Sequence, residues 1–494
     1  MVGGASRIIG LVVRMAIGFF MMPFLIGHLG DYWYGLYYAT FGLVANFHIL
    51  DFGFANATMR ETAIGLGKND DAAVNRVVNT ALRIYVGLGS VVLLLVLSAV
   101  VLAPHLIDSE QVGTVRLVLL IIRLDLTLTF PTKAVAGVVQ AKLRYDLLLI
   151  IDMVTLAIST GATVWLLTHG YGVIALALIT GLVGQLHNVS YMVLVKYLFP
   201  GLRLDWRGFD RTSGQQLAAY SVWSFLNQVA NQMRFRIDSL TTGYLFGAEA
   251  VTQYAIGGRL VEYAQTPLVQ ASNTAMPVLT RLHVTETAER TSAVVLFLMR
   301  LGLLVAVFAS GLVIFLGGPF INRWMGPNHQ VSPLVAAVLS VGFMTELFLM
   351  PMTNWLLASA RHRMLAIANL SEAIVNVTLS LILGKLYGLI GIALGTVIPL
   401  LAFQLCWVAP YACRSLKIDF RRFAGLVFPG ALSAAIFAVL ALALETTAEH
   451  NGYMGIIAAG AILTVVYWPA VLFTCLDKHD RGFIWRAIAL PAAA

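Results

Sequence analysis

The run IIGLVVRMAIGFFMMPFLIG, residues 8–27, is twenty residues long and carries one charge, Arg14. A bilayer hydrocarbon core about 30 Å thick is crossed by a helix of about 20 apolar residues, and this run has that length. A helix is required there because lipid offers no partner for backbone N–H and C=O groups. No small-residue cleavage site followed by polar sequence comes after it, so it reads as a membrane helix and not as a secretory signal. The question it raises is what holds a guanidinium two turns inside.

The same pattern continues to the end of the chain. Of 494 residues, 59% are hydrophobic and 11% charged, with a mean hydropathy of +0.84, whereas a soluble domain is roughly one quarter charged. Cutting at polar and Pro/Gly-rich breaks predicts fourteen spans: 8–27, 34–56, 79–103, 116–138, 147–168, 172–195, 215–236, 249–279, 292–316, 331–358, 364–384, 389–411, 423–444 and 453–474. The expected class is an all-α polytopic membrane protein.

Lys and Arg accumulate in short cytoplasmic loops. With these spans, 21 basic residues fall on one side and two, Arg323 and Lys385, on the other. Both termini are therefore expected in the cytoplasm, as an even span count requires. The formal charge of +8 is dispersed singly along the loops and forms no basic face for nucleic acid. Nine further basic residues lie in or at the edges of spans: Arg14, Arg83, Arg116, Arg123, Lys133, Arg234, Arg236, Arg259 and Arg300.

A faint internal repeat is present. HLGDYWYGLYYATFGLVANF from His28 echoes YLFGAEAVTQYAIGGRLVEYA from Tyr244, pairing Gly30 with Gly247 and Tyr37 with Tyr254 at an offset of 217. That shift carries span one onto span seven, so the halves share an orientation, as in a parallel repeat about an axis along the membrane normal. The expected division is an N-terminal lobe over 1–195 (spans one to six), a cytoplasmic linker over 196–214, a second lobe over 215–411 (spans seven to twelve), and 412–494 with two further spans and a cytoplasmic tail.

A charge at the bilayer centre costs about 2.5–3.5 kcal/mol on insertion scales, so such residues normally face a bundle interior or an aqueous cavity. Arg14 has two readings: a fixed cation in a central cavity, or a snorkelling side chain with its head at the interface. The cavity reading is favoured. In NQVANQMRFR, Asn227 and Asn231 are four apart, as are Gln228 and Gln232, which makes one polar stripe, wet or bonded to another helix. Arg234, Arg236 and Asp238 continue towards the outer end and read as interfacial. Arg259 and Glu262 are three apart on span eight, either an intrahelical pair or a second cavity cation. Span four adds Arg123. Asp51, Asp125 and Asp152 are candidate proton or sodium sites, and equally candidate partners for the arginines.

No Walker A sequence or other Gly-rich phosphate loop occurs. The ten histidines and the three cysteines, Cys406, Cys413 and Cys475, have no metal-ligand spacing. No catalytic residue, metal or cofactor is expected, and no polar segment exceeds about 20 residues, too short for a catalytic domain.

The segment from Leu29 to Val78, with Leu-Gly, then Tyr-Gly-Leu-Tyr, then Leu-Asp-Phe-Gly-Phe around Asp51, resembles the Wzx-type oligosaccharide flippases, polysaccharide-biosynthesis exporters of the multidrug/oligosaccharidyl-lipid/polysaccharide (MOP) superfamily. The resemblance implies a MATE-like fold of two six-helix lobes plus two helices. It implies a flippase that carries an undecaprenyl-diphosphate-linked oligosaccharide from the cytoplasmic to the periplasmic leaflet of the bacterial inner membrane by alternating access, for O-antigen, capsule or exopolysaccharide. It places cavity arginines on the spans of Arg14 and Arg259, and implies H+ or Na+ coupling, membrane lipids and polysaccharide polymerase machinery as partners. A cation-coupled multidrug exporter of the same superfamily is the alternative. A membrane polysaccharide polymerase or ligase ranks third, since such enzymes present a large periplasmic loop and this chain has none.

Overall fold

The computed structural model describes residues 2–47, 51–52, 54–102, 112–142, 145–205, 208–273, 275, 279, 281–282, 286–359, 361–450, 452–476 and 480–481, apart from some side chains within the helices. The elements described are helices: α1 Val2–Phe47, α2 Phe54–Gly67, α3 Asp71–Leu102, α4 Val112–Ala141, α5 Tyr145–Thr168, α6 Val173–Leu198, α7 Arg211–Phe246, α8 Ala248–Asn273, α9 Ala288–Trp324, α10 Ser332–Ala358, α11 His362–Phe403, a π-helical turn Gln404–Val408, α12 Ala409–Leu416, α13 Phe420–Ala424, α14 Val427–His450 and α15 Gly452–Thr474.

Two of these helices are pairs of spans joined through a glycine. The 46 residues of α1 would reach about 69 Å at 1.5 Å per residue, more than twice the hydrocarbon thickness. Gly30 interrupts it at φ 78° and ψ 163°, a conformation that a Cβ excludes. Gly388 breaks α11 in the same way, at φ 65° and ψ −143°. The second part of α1 continues through α2, and the second part of α11 continues through the π turn into α12. Among the described residues nine helices are long and apolar enough to cross a membrane, two of them, α1 and α11, broken by a glycine into two arms, and the remaining helices fall at the other predicted spans. Gly247, the repeat partner of Gly30, also has positive φ, 81°. Among the described residues all six positive-φ glycines, at 30, 170, 247, 326, 388 and 452, lie where an odd-numbered span turns into the next. The basic residues cluster at the opposite turns.

One predicted span is not continuous. Span 34–56 breaks into a short 3-10 turn at Asp51, followed by Phe52 at φ 51°. Asp51 diverts the helix because its carboxylate accepts from the Ala55 amide at 3.3 Å and from Tyr85 Oη at 2.5 Å.

The chain divides into two compact units, Met1–Gln232 and Met233–Ala494, with the boundary inside α7. In the first unit, Ala57, Ala81, Tyr85, Phe130, Ala134 and Leu217 form a core between α2, α3, α4 and the start of α7. The segment after α6 is fastened to α3 by two asparagines one turn apart. Asn75 donates to Gly201 O and accepts from Arg203 N, and Asn79 donates to Arg203 O and accepts from Asp205 N, all at 2.8–3.1 Å. Asp210 then caps α7, accepting from Ser213 N at 2.7 Å. These Ser213 contacts hold the Asp210 carboxyl below the usual carboxylate range. The cap therefore persists above that range and is lost as pH falls through the lowered value.

In the second unit, Met299, Leu303, Met352, Trp355, Ala409 and Cys413 join α9, α10 and α12. The last two spans pack on α9 through Tyr467, fully buried, which donates to Leu304 O at 2.9 Å and pairs with Ser433 at 2.7 Å. Arg300 of α9 is ion-paired with Asp480 beyond α15. The two arms of α11 meet backbone to backbone: a Cβ at Gly395 would lie 2.4 Å from Ser380 Cα, and one at Gly391 would lie 1.9 Å from Leu383 O. Small residues at such crossings are how membrane helices gain contact without a hydrophobic driving force.

Gly395→Ala is expected to destabilise the protein by about 1–3 kcal/mol through overpacking, read as a lowered thermal midpoint in detergent micelles. Gly460→Ala is the control. Its nearest contact, Leu316 Cδ1 at 3.6 Å, is an ordinary one, and a change within about 0.5 kcal/mol is expected.

Candidate functional site

Arg14 is not an isolated cation. Its Nη1 lies 3.2 Å from Asp152 Oδ2 of α5, and the other oxygen of that carboxylate, Oδ1, is 3.0 Å from His187 Nε2 of α6. The His187 ring lies against Tyr191, one turn further along α6, tilted by 36° at 4.5 Å between centroids. Gly10, one turn before Arg14, permits the close approach of α1 to α5: an added Cβ would meet Leu149 Cδ1 at 2.6 Å. Arg14 lies twelve residues into α1, Asp152 seven residues into α5 and His187 eleven residues from the end of α6. At 1.5 Å per residue these are depths of about 18, 10 and 16 Å from the same end of the bundle. The side chains are 49%, 27% and 34% exposed, so the cluster is open on one side.

A guanidinium has five N–H donors, and Asp152 is the partner of Arg14 among the described residues. The arrangement combines a largely uncommitted fork of donors with a carboxylate and an imidazole. Such a group can bind an oxyanion bidentately or exchange a proton.

Asp51 is 4% exposed and lies away from lipid. Besides Tyr85 and Ala55 it interacts electrostatically with Lys133 of α4, whose ammonium lies 4.7 Å from the Phe130 ring centroid. Arg60 and Glu61 pair with each other at 2.5 Å. On α8, Arg259 donates to Glu262 at 2.7 Å, the i,i+3 pair that the spacing allows. Asn227, Gln228, Asn231 and Gln232 lie on α7, and Arg123 and Asp125 lie on α4, but these six side chains fall outside the described ones, as do those of Arg234 and Arg236.

Two groups were missed by the sequence reading. Asp238, read there as interfacial, is buried: Tyr254 Oη donates to its Oδ2 at 2.6 Å and Thr396 Oγ1 lies 2.9–3.0 Å from both oxygens. His187 is the other. Its pairing with Asp152 was legible in principle, because the two stand at nearly equal separations from the turn at Gly170, as an α5–α6 hairpin requires.

Residues 34–316, more than half of the chain, match the family described as polysaccharide biosynthesis protein. The chain belongs to that family. Over 98% of its length it is 22% identical to the uncharacterized membrane protein EpsK of Bacillus subtilis (strain 168), covering 96% of that protein. Among solved structures it is similar to the lipid II flippase MurJ in an inward closed conformation, with a TM-score of 0.69, 14% identity and coverage of 93% of this chain and 97% of the other. It is also similar to an inward-facing multidrug resistance MATE family transporter of the MOP superfamily, at TM-score 0.62, 16% identity and coverage of 83% and 95%. The family member is thus a multi-pass membrane protein with the MOP fold, which agrees with the expected class.

Tyr85→Phe removes the hydroxyl donor to Asp51 and leaves a buried carboxylate under-satisfied. A loss of about 1–3 kcal/mol is expected, measurable by thermal unfolding in detergent. Tyr453→Phe, at an exposed position on α15, should change little.

Proposed function

We propose that this polysaccharide biosynthesis protein is a flippase. It carries a polyprenyl-diphosphate-linked oligosaccharide from the cytoplasmic to the periplasmic leaflet of the bacterial inner membrane by alternating access. Spans one to six (1–195) and seven to twelve (215–411) are its two repeats, joined by 196–214, and both termini lie in the cytoplasm, where the 21 basic residues of that face belong. The observation that carries the reading is Arg14, a half-exposed guanidinium at about 18 Å depth whose partner among the described residues is Asp152. A diphosphate diester is the anion that such a fork suits.

The remaining roles follow from that substrate. Arg259 and Arg123 are further headgroup contacts, and the amides of Asn227, Gln228, Asn231 and Gln232 suit sugar hydroxyls. Asp51, Asp125 and Asp152 are the carboxylates from which coupling to H+ or Na+ is drawn. Membrane lipids and the polymerase that uses the flipped unit are its partners. A transporter of cationic drugs would need a carboxylate free of counter-charge. Here Asp152 is paired with Arg14 and Asp51 lies in the field of Lys133. At these two positions this favours an anionic cargo, and Asp238, which has hydroxyl partners, is buried. The fold shared with a lipid flippase and a MATE transporter supports a transporter over a polymerase or ligase.

In a polysaccharide-producing host whose own flippase gene is deleted, Arg14→Ala is expected to reduce polymer export by about 10- to 100-fold, the factor for a charge-assisted hydrogen bond of about 1.5–3 kcal/mol. Membrane levels of the protein should hold. Unchanged export would remove Arg14 from the site.

A further inference from the structure

Taken together, Arg14, Asp152 and His187 have a property that none of them has singly. With a neutral imidazole the trio carries one positive and one negative charge and is neutral as a set. With a protonated imidazole it is +1, while Asp152 still accepts from both neighbours through separate oxygens. Histidine is the side chain whose ordinary protonation range falls between pH 5 and 8. We propose that the Arg14–Asp152–His187 cluster is a proton-gated site for a diphosphate diester, with His187 as its titrating member and Asp152 as the counter-charge that keeps Arg14 quiet until a proton arrives.

The surroundings support the assignment. The charges that act on Asp152 are those of His187 and Arg14, and those that act on Tyr191 are Asp152 and Arg14. On α6 itself the neighbour of His187 is Tyr191, whose tilted ring lies against it. From α4, the groups that reach α6 beside His187 are the hydroxyls of Thr129 and Thr132, both on Asn188. Lys133 of α4 lies over Phe130 and in the field of Asp51. Among the described side chains, then, no other cation or acid competes for the cluster. Three helices bring Arg14 and His187 within 3.0–3.2 Å of Asp152, and all three side chains are partly exposed.

Linkage makes the coupling reciprocal. If protonation of His187 strengthens binding of the anion, binding of the anion strengthens protonation by the same factor. This rests on the flippase reading for its ligand, and on the geometry alone for its titration.

The test uses the full chain in phosphatidylcholine nanodiscs. The probe is a short-chain polyprenyl-diphospho-N-acetylglucosamine, a diester whose own charge is constant between pH 6 and 8. The wild type is expected to bind it at least about tenfold more tightly at pH 6 than at pH 8, within the usual range of coupling between sites. His187→Gln should bind weakly at both pH values. Asp152→Asn should bind tightly at both, because loss of the carboxylate leaves the set at +1 without a proton; a merely structural role would weaken binding. A His187→Gln protein that keeps the wild-type pH dependence, or an Asp152→Asn protein no tighter than wild type at pH 8, overturns the proposal. A wild type that binds the probe at no pH overturns the flippase reading instead. The gate is then judged by histidine-selective NMR, with the His187 signal assigned from its loss in His187→Gln. A titration midpoint that moves down in Asp152→Asn supports the gate, and one that stays in place overturns it.

Discussion

Inside a bilayer each polar group must find its partner within the protein, and the contact on which this molecule turns is that of Arg14 with Asp152. An unpaired guanidinium at that depth would be expelled towards the interface or would need a permanent water channel. A fully buried pair would be satisfied but inert, since separating it leaves two uncompensated charges. Here the carboxylate is shared with His187 and the guanidinium stays half-exposed. The result is a charge that is met within the protein and not sealed by it.

A second form of the same constraint recurs in each unit, where a buried aspartate is held by a tyrosine hydroxyl: Asp51 by Tyr85, and Asp238 by Tyr254. The completions differ. Asp51 adds a backbone amide at the break between α1 and α2 and the field of Lys133, whereas Asp238 adds Thr396 from the second arm of α11. Hydroxyl donors can meet a carboxylate without introducing a second charge that would itself need a partner. The cost of the first arrangement is local, a helix that cannot run straight through Asp51 and leaves Phe52 at positive φ.

The spans and the glycine turns were readable because membrane length and hydropathy act on runs of about 20 residues, and no tertiary contact alters that period. The break at Asp51 was not readable, because Leu, Asp and Phe there continue an apolar run and the cause lies 34 residues away at Tyr85. For the same reason the sequence could name Arg14 and Asp152 but could not join them. Asp238 was misplaced because its neighbours Arg234 and Arg236 look interfacial, while its partners come from α8 and α11. Polar residues in membrane helices announce that a partner exists, and only packing says which.

The two ends of the bundle solve different problems. At the glycine turns the chain reverses within a few residues, and Gly30 and Gly388 supply the positive φ that the reversals need. At the basic end the connection after α6 is long and is tied down by Asn75 and Asn79, whose amides each give and take a backbone hydrogen bond. Backbone pairing of this kind holds a segment without burying apolar area, which suits an end that meets water.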